Sequence, residues 1–232
     1  VSSAPPELPP RPEIPEIPVL HLDEHLVVCD KPPGINVHRD AWSRPGDIYV
    51  LQTLRNQLKR KLFPVHRLDR ATSGVLAFAF SSESAAALQQ SLQAAGTRKR
   101  YLVLARGTAA PQFESTRPLR NENGEPQPCH TSFETLEHLP RSSLLRATLH
   151  SGRKHQIRRH LNHLAHHVIG DTSYGKGRIN QWFRDEHGLP RMFLHAEELC
   201  FVQPVTGELL HCRAPLASDL ESVLQSLRPN QG

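Results

Sequence analysis

The nearly continuous apolar run Gly74 to Phe80 (GVLAFAF) limits the fold of this chain more than any other stretch. Its length and composition are those of a central β-strand. Directly before it stands His66-Arg67-Leu68-Asp69-Arg70-Ala71-Thr72-Ser73-Gly74, with one carboxylate between two guanidiniums, an imidazole ahead and a glycine turn behind. Asp69 therefore lies in the loop that feeds a buried strand, a rigid mount for a reactive group. Arg67 and Arg70 are expected to keep it ionised, because nearby positive charge favours a carboxylate. An ionised carboxylate in a basic loop can act as nucleophile or base toward a polyanion, and nucleic acid is the obvious candidate.

Around this pair the chain reads as short strands interleaved with helices. His25–Cys29 (HLVVC) is a buried strand, followed by turn chemistry at Asp30-Lys31-Pro32-Pro33-Gly34. A helix is expected from an Asp47 N-cap to Lys61, with Leu51, Leu54 and Leu58 on one stripe. Ser81 or Ser82 caps a second helix that stops at Gly96, and Arg100–Arg106 returns as a strand. Residues 115–142 read as loops or short edge strands, and Leu144–His150 as a strand. From Lys154 to Val168, the positions Ile157, Leu161, Leu164, Ala165 and Val168 form one helical face. Residues 170–192 are loop-like apart from a short helix near Gln181–Glu186. A hairpin over Phe193–Cys212 turns at Pro204–Gly207, and Ser218–Leu227 is a terminal helix. Without a repeated βαβ spacing, the pattern indicates a single α+β domain over residues 20–232.

Lys plus Arg exceed Asp plus Glu by 28 to 23, a formal charge of +5 before the 15 histidines are counted, which favours an anionic partner. Cys29, Cys129, Cys200 and Cys212 show no CxxC spacing, so reduced, buried thiols are expected. No apolar run is long enough for a membrane span, and no basic-then-apolar leader opens the chain. A cytoplasmic protein is expected. Pro5, Pro6, Pro9, Pro10, Pro12, Pro15 and Pro18 make residues 1–19 an extended, solvated arm.

A second basic segment, Ser151-Gly152-Arg153-Lys154-His155-Gln156-Ile157-Arg158-Arg159, spans a strand-to-helix joint, where helix N–H groups attract anions. Taken alone it could equally be a solvated charged face. The histidines His155, His160, His163, His166 and His167 are the best case for a metal. The chain has no HExxH, and the cluster holds neither Cys nor acid to complete a ligand set, so no metal is expected. Tyr101, beside Arg98, Lys99 and Arg100, is either a core aromatic or a stacking platform for a base.

Together these segments resemble the RluA-type pseudouridine synthases, from about residue 20 to residue 215. Asp30–Gly34 through Val37-His38 is similar to that family's DKPxG…VH entry, and His66–Gly74 matches its HRLDRxTSG motif at every fixed position. Lys99-Arg100-Tyr101 is similar to its KxY segment and Gly152–Arg158 to its GRxHQIR segment. Gly170-Asp171 and Leu194-His195-Ala196 are similar to its later signatures. Ser151 replaces the usual Thr. Within the family the likeness is to TruC-like tRNA enzymes, through Val37-His38-Arg39, Leu51–Gln57, Lys154–Leu161 and Gly188–Met192. The N-terminal S4-type module of several members is not expected in so short a leader.

The resemblance implies a mixed, largely antiparallel sheet with flanking helices and a basic active-site cleft. It implies isomerisation of uridine to pseudouridine without cofactor or metal, with tRNA position 65 as the target and a monomer as the working unit. Asp69 would assist glycosidic cleavage at the sugar or the base, Arg158 would pair with it, and Tyr101 would contact the uracil and help deprotonate C5. Ile157 would pack under the base. Arg67 would fill the space left by the flipped nucleotide, and His66, Arg70, Arg153 and Lys154 would bind neighbouring backbone. Three rivals stay open: the same chemistry on ribosomal RNA, a catalytically inert RNA-binding domain, and a metal-dependent hydrolase built on the histidines.

Overall fold

The computed structural model describes residues 16–39 and 46–228. In chain order its first half comprises β1 (Val19–Leu22), β2 (Leu26–Lys31), α1 (Val50–Leu58), β3 (Phe63–Pro64), β4 (Ser73–Ala79), α2 (Ser82–Ser91) and β5 (Arg98–Arg106). The second half comprises β6 (Gln112–Ser115), β7 (Leu119–Arg120), β8 (Pro126–Gln127), β9 (Thr131–Leu139), β10 (Ser142–Leu149), α3 (Gln156–His163), α4 (Gly177–His187), β11 (Leu194–Val202), β12 (Leu209–Arg213) and α5 (Ser218–Leu227). Ten strands form one sheet in the order β1-β2-β4-β11-β5-β10-β9-β6, with β3 on β4 and β12 on β11. Among its named strand pairs only β4–β11 is parallel, so the sheet is mixed and largely antiparallel. No helix among the described residues is long and apolar enough to cross a membrane.

Strand β4 is buried at every position, which explains its unbroken apolar sequence. Leu76 and Phe78 face the α1 side with Val27, Cys29 and Leu54, while Val75, Ala77 and Ala79 pack on the other face with α2. Gly74 opens the strand at φ 109°, and a Cβ there would lie 2.7–2.8 Å from backbone C and N of Ala196 on β11. Gly74→Ala is therefore expected to cost about 2–3 kcal/mol, seen as a lowered melting temperature, because it adds both strain and overlap.

Several boundaries differ from the sequence expectation for reasons the backbone makes plain. Helix α1 starts at Val50, after an extended Tyr49, and not at an Asp47 cap. Tyr49 bridges Asn36, and the amides of Val50 and Leu51 donate to the carbonyls of Asn36 and Val37, so neighbouring backbone satisfies the first turn. The buried stripe rotates accordingly to Val50, Thr53 and Leu54. Helix α3 ends at His163, because Ala165 turns left-handed at φ 61°. Val168 is buried through a bridge to Ala105 instead of a helical contact.

The largest miss is β9, a nine-residue strand in a region read as loop. A bulge opposite Leu144/Leu145 leaves Leu136 without a register partner, so Phe133, Leu136 and Leu139 fall three apart and hide the two-residue period. Helix α4 likewise runs longer than its sequence signal. Residues 1–15 of the proline-rich arm lie outside the described residues. Its end is not solvated: Ile17 is fully buried, and Gln57 grips its backbone N–H and C=O.

Candidate active site

Two core clusters meet on one face of the sheet, one under α1 and one under α3, and Tyr101 on β5 packs against both. Leu68 belongs to the first cluster and Ala71 packs against the second, so the loop before β4 delivers Asp69 to the seam between them. A side chain 22% exposed leaves Asp69 reachable from solvent.

Its charge partner is 89 residues away. Arg158 Nη1 donates to Asp69 Oδ2 at 2.9 Å, while Arg158 Nε and Nη2 donate to Asp171 Oδ2 and Oδ1 at 2.7 and 2.9 Å. One guanidinium thus forks over a fully buried carboxylate and uses a remaining N–H to aim Asp69. Burial works against ionising Asp171, but the Arg158 hydrogen bonds and the Tyr174 and Ser173 amides outweigh it and hold its pKa below the usual value. Burial also opposes the charge on Arg158, and its two acid partners more than restore it. His155, in a left-handed conformation at φ 54° just before α3, places Nε2 3.6 Å from Asp69 Oδ1 and Nδ1 3.2 Å from the Tyr174 hydroxyl. Burial, with the nearby Arg158 and Lys154 charges, keeps that imidazole below its ordinary pKa despite Asp69.

The loop carrying Asp69 is clamped through its carbonyls. Lys31, fully buried at the end of β2, donates from Nζ to the carbonyls of Thr72 (2.8 Å), Pro32 (2.8 Å) and Arg70 (3.3 Å). Burial and the Arg191 charge lower its pKa to about 7, and three acceptors for its three donors offset that burial. Arg191 is fixed by both oxygens of Asp219 on α5, at 2.7 and 3.0 Å, and donates onward to Ala71 O and Ser73 Oγ, each at 2.9 Å. Elements remote in sequence thereby hold the Asp69 loop in one shape.

These contacts bear on what the chain is similar to. The family model described as RNA pseudouridylate synthase matches residues 25–163, more than half of the chain. The chain belongs to the RNA pseudouridylate synthase family. Curated relatives named tRNA pseudouridine synthase C include one from Vibrio vulnificus (strain CMCP6), 35% identical and covering 90% of this chain and 93% of its own. Another, from Haemophilus influenzae, is 35% identical over 89% of this chain and 95% of its own. Among solved structures, human RNA pseudouridylate synthase domain containing 4 superposes at a TM-score of 0.75 with 22% identity, covering 90% of this chain and 92% of that one. That likeness carries the fold. By family, this pseudouridylate synthase is an isomerase that makes pseudouridine in RNA.

Within the site, Asp69, Tyr101, Arg158 and Ile157 come together as the sequence suggests. Burial first, and the Asp69 charge second, push the Tyr101 phenol upward in pKa. Ile157 is buried against the same cluster. Arg153 and Lys154 are exposed at the rim, where Arg153 Nε donates to Pro128 O and Lys154 pairs with Glu122 at 2.7 Å. Arg67 is exposed beside Asp69 in the chain.

Two expectations need correcting. Neither Arg67 nor Arg70 makes a hydrogen bond or ion pair to Asp69 among the described residues; Arg70 Nε instead donates to Gly34 O at 2.7 Å, fastening the loop to the Pro33-Gly34 turn. His66 is no phosphate-binding cation: its Nε2 accepts the Ala77 amide at 3.0 Å, and burial together with Lys99 lowers its pKa to about 3. His160 and His166 near α3 likewise use ring nitrogens within the protein. His160 contacts Thr131 Oγ1 and Arg117 O, and His166 contacts Arg106 O. No group of three or more potential metal ligands occurs among the described residues. Lys31, His155, Asp171 and Arg191 each lie in a segment that carries the family resemblance, but the sequence assigns none of them a part in holding Asp69 or its loop. The contacts of Lys31 and Arg191 reach partners 28 to 120 residues away, which spacing does not reveal.

Proposed function

We propose that this enzyme converts a specific uridine of tRNA, that at position 65, to pseudouridine, with Asp69 as the catalytic carboxylate. The observation that carries this is the Arg158–Asp69 contact at the seam beside Tyr101, which holds one solvent-reachable carboxylate near the exposed Arg153-Lys154 pair. The relatives' name, tRNA pseudouridine synthase C, supports tRNA as the substrate. In the reaction the N1–C1′ bond breaks, the uracil turns, C5 joins C1′, and a proton leaves C5 while N1 gains one. Asp69 adds to either C1′ or C6 and departs again, so the step needs no oxidant, metal or cofactor.

Stacked uracil is out of reach, so the nucleotide must flip out, at a cost of a few kcal/mol. Arg67 fills the vacated space, Ile157 and Tyr101 sandwich the base, and Arg153, Lys154 and the Nη groups of Arg70 hold nearby phosphates. The reading includes a cytoplasmic, monomeric enzyme. Carbodiimide-based pseudouridine mapping of total RNA from cells with and without the gene tests the assignment. The expected result is loss of one tRNA signal at position 65. Loss confined to ribosomal RNA would overturn the tRNA assignment.

A further inference from the structure

A cavity of about 490 Å³ opens at the far end of β5, away from the catalytic seam, and its walls include Arg106, Arg141, Thr108, His166 and Ile179. We propose that it is a second RNA subsite that grips a backbone phosphate of the substrate several nucleotides from the flipped uridine. The proposal rests on the family's RNA chemistry and adds a contact surface to it. Arg106 is the last residue of β5, and Arg141 sits in the β9–β10 turn at φ 57°, so strand ends fix both. Neither guanidinium makes a hydrogen bond or ion pair among the described residues, although most other arginines of the fold are spent on carboxylates or carbonyls. Arg141 instead lies over the Trp182 ring at 4.4 Å, which orders it without neutralising it. His166 uses Nδ1 on Arg106 O at 2.9 Å, leaving Nε2 for a ligand. The walls contain no carboxylate. Unpaired planar guanidiniums held by backbone and an aromatic face suit a phosphate better than a neutral ligand.

The cavity also connects to the site. Tyr101 and Arg106 lie five residues apart on β5, about 17 Å along a strand, and the odd spacing sends their side chains to opposite faces, so the cavity is reached past the end of the sheet. Helix α3 packs on the Tyr101 face of β5, and its Arg159, with Arg117 near His163, extends positive charge beyond the Arg153-Lys154 rim. An RNA strand whose uridine is at Asp69 can reach the cavity by passing α3 and rounding the end of the sheet.

The test measures binding of a tRNA transcript by fluorescence anisotropy across a salt series, for wild type, Arg106→Gln, Arg141→Gln and the double variant, with the Lys variants as charge-retaining controls. Each Gln variant is expected to reduce the slope of log affinity against log salt by about one and to weaken binding roughly tenfold near 0.1 M salt. The Lys variants should restore most of the slope, and single-turnover rates at saturating RNA should match wild type. Unchanged slope and affinity in the double variant would overturn the proposal. So would a loss that the Lys variants do not restore, which would mark a packing role, or competition by millimolar inorganic phosphate or mononucleotide without effect on the RNA slope, which would mark a small-molecule site. Binding is read independently of product, so a failure here is distinct from a wild type that makes no pseudouridine.

Discussion

Asp69→Asn is expected to lower the single-turnover rate of pseudouridine formation by at least about a thousandfold, roughly 4 kcal/mol of lost transition-state stabilisation, while RNA affinity and melting temperature stay near wild type. The substitution keeps the shape of the side chain, and its carbonyl oxygen can still accept from Arg158 Nη1, so the link between the two halves of the cleft survives. Arg158 also keeps both hydrogen bonds to Asp171, so no buried charge is stranded. Only one carboxylate oxygen, and with it the negative charge, is lost. Asp69→Glu retains the carboxylate but moves it by one methylene, and misplacement on that scale is expected to cost about a hundredfold. Stopped assays on the tRNA transcript, with thermal melts of each variant, check both values. Full activity of the Asn variant would exclude Asp69 as the reacting group.

The sequence and the structure divide this site along a physical line. Features written in contiguous residues were legible: the apolar β4 run, the Ser81 cap that starts α2, the Ser218–Leu227 helix and the charged loop ahead of Gly74 all occur where the sequence places them, although α2 ends at Ser91, short of the expected Gly96 stop. Features that depend on distant segments were not. Arg67 and Arg70 look like the natural counter-charges of Asp69 because they are its neighbours in the chain, yet a strand-feeding loop points neighbouring side chains apart. The cation that reaches the carboxylate comes from α3, and only the family resemblance, not spacing, indicated it. His66 misled in the same way, since a histidine in a basic motif reads as charged until its Nε2 is seen accepting the Ala77 amide. Strand β9 was hidden by a single bulge, and the end of α3 by Ala165, a residue whose propensity favours the helix that it terminates.

Arg158→Met should damage the protein twice, and the two losses can be separated. Asp171 is fully buried, and its cation is Arg158. Removing that cation leaves an uncompensated charge, a loss of about 3–5 kcal/mol. The pH dependence gives the cause a signature. In the wild type the folded Asp171 pKa is depressed, so its stabilisation is present above the ordinary value near 3.8 and is lost as pH falls through the folded value. Without Arg158, burial dominates and raises the folded pKa above the unfolded one. The stability gap between wild type and variant should then narrow on acidification from neutral pH, because the buried carboxyl takes up a proton and becomes neutral. Arg158→Met combined with Asp171→Asn removes the stranded charge and should recover more than half of the lost stability, a coupling that a double-mutant cycle measures directly. Activity should not return with it, since Asp69 still lacks the donor that aims it. Arg158→Lys should fail as well, because an ammonium cannot span the two oxygens of Asp171 and Asp69 Oδ2 with one planar fork. Recovery of turnover alongside stability in the double variant would show that Arg158 serves only the fold, and that Asp69 works without a guanidinium to position it.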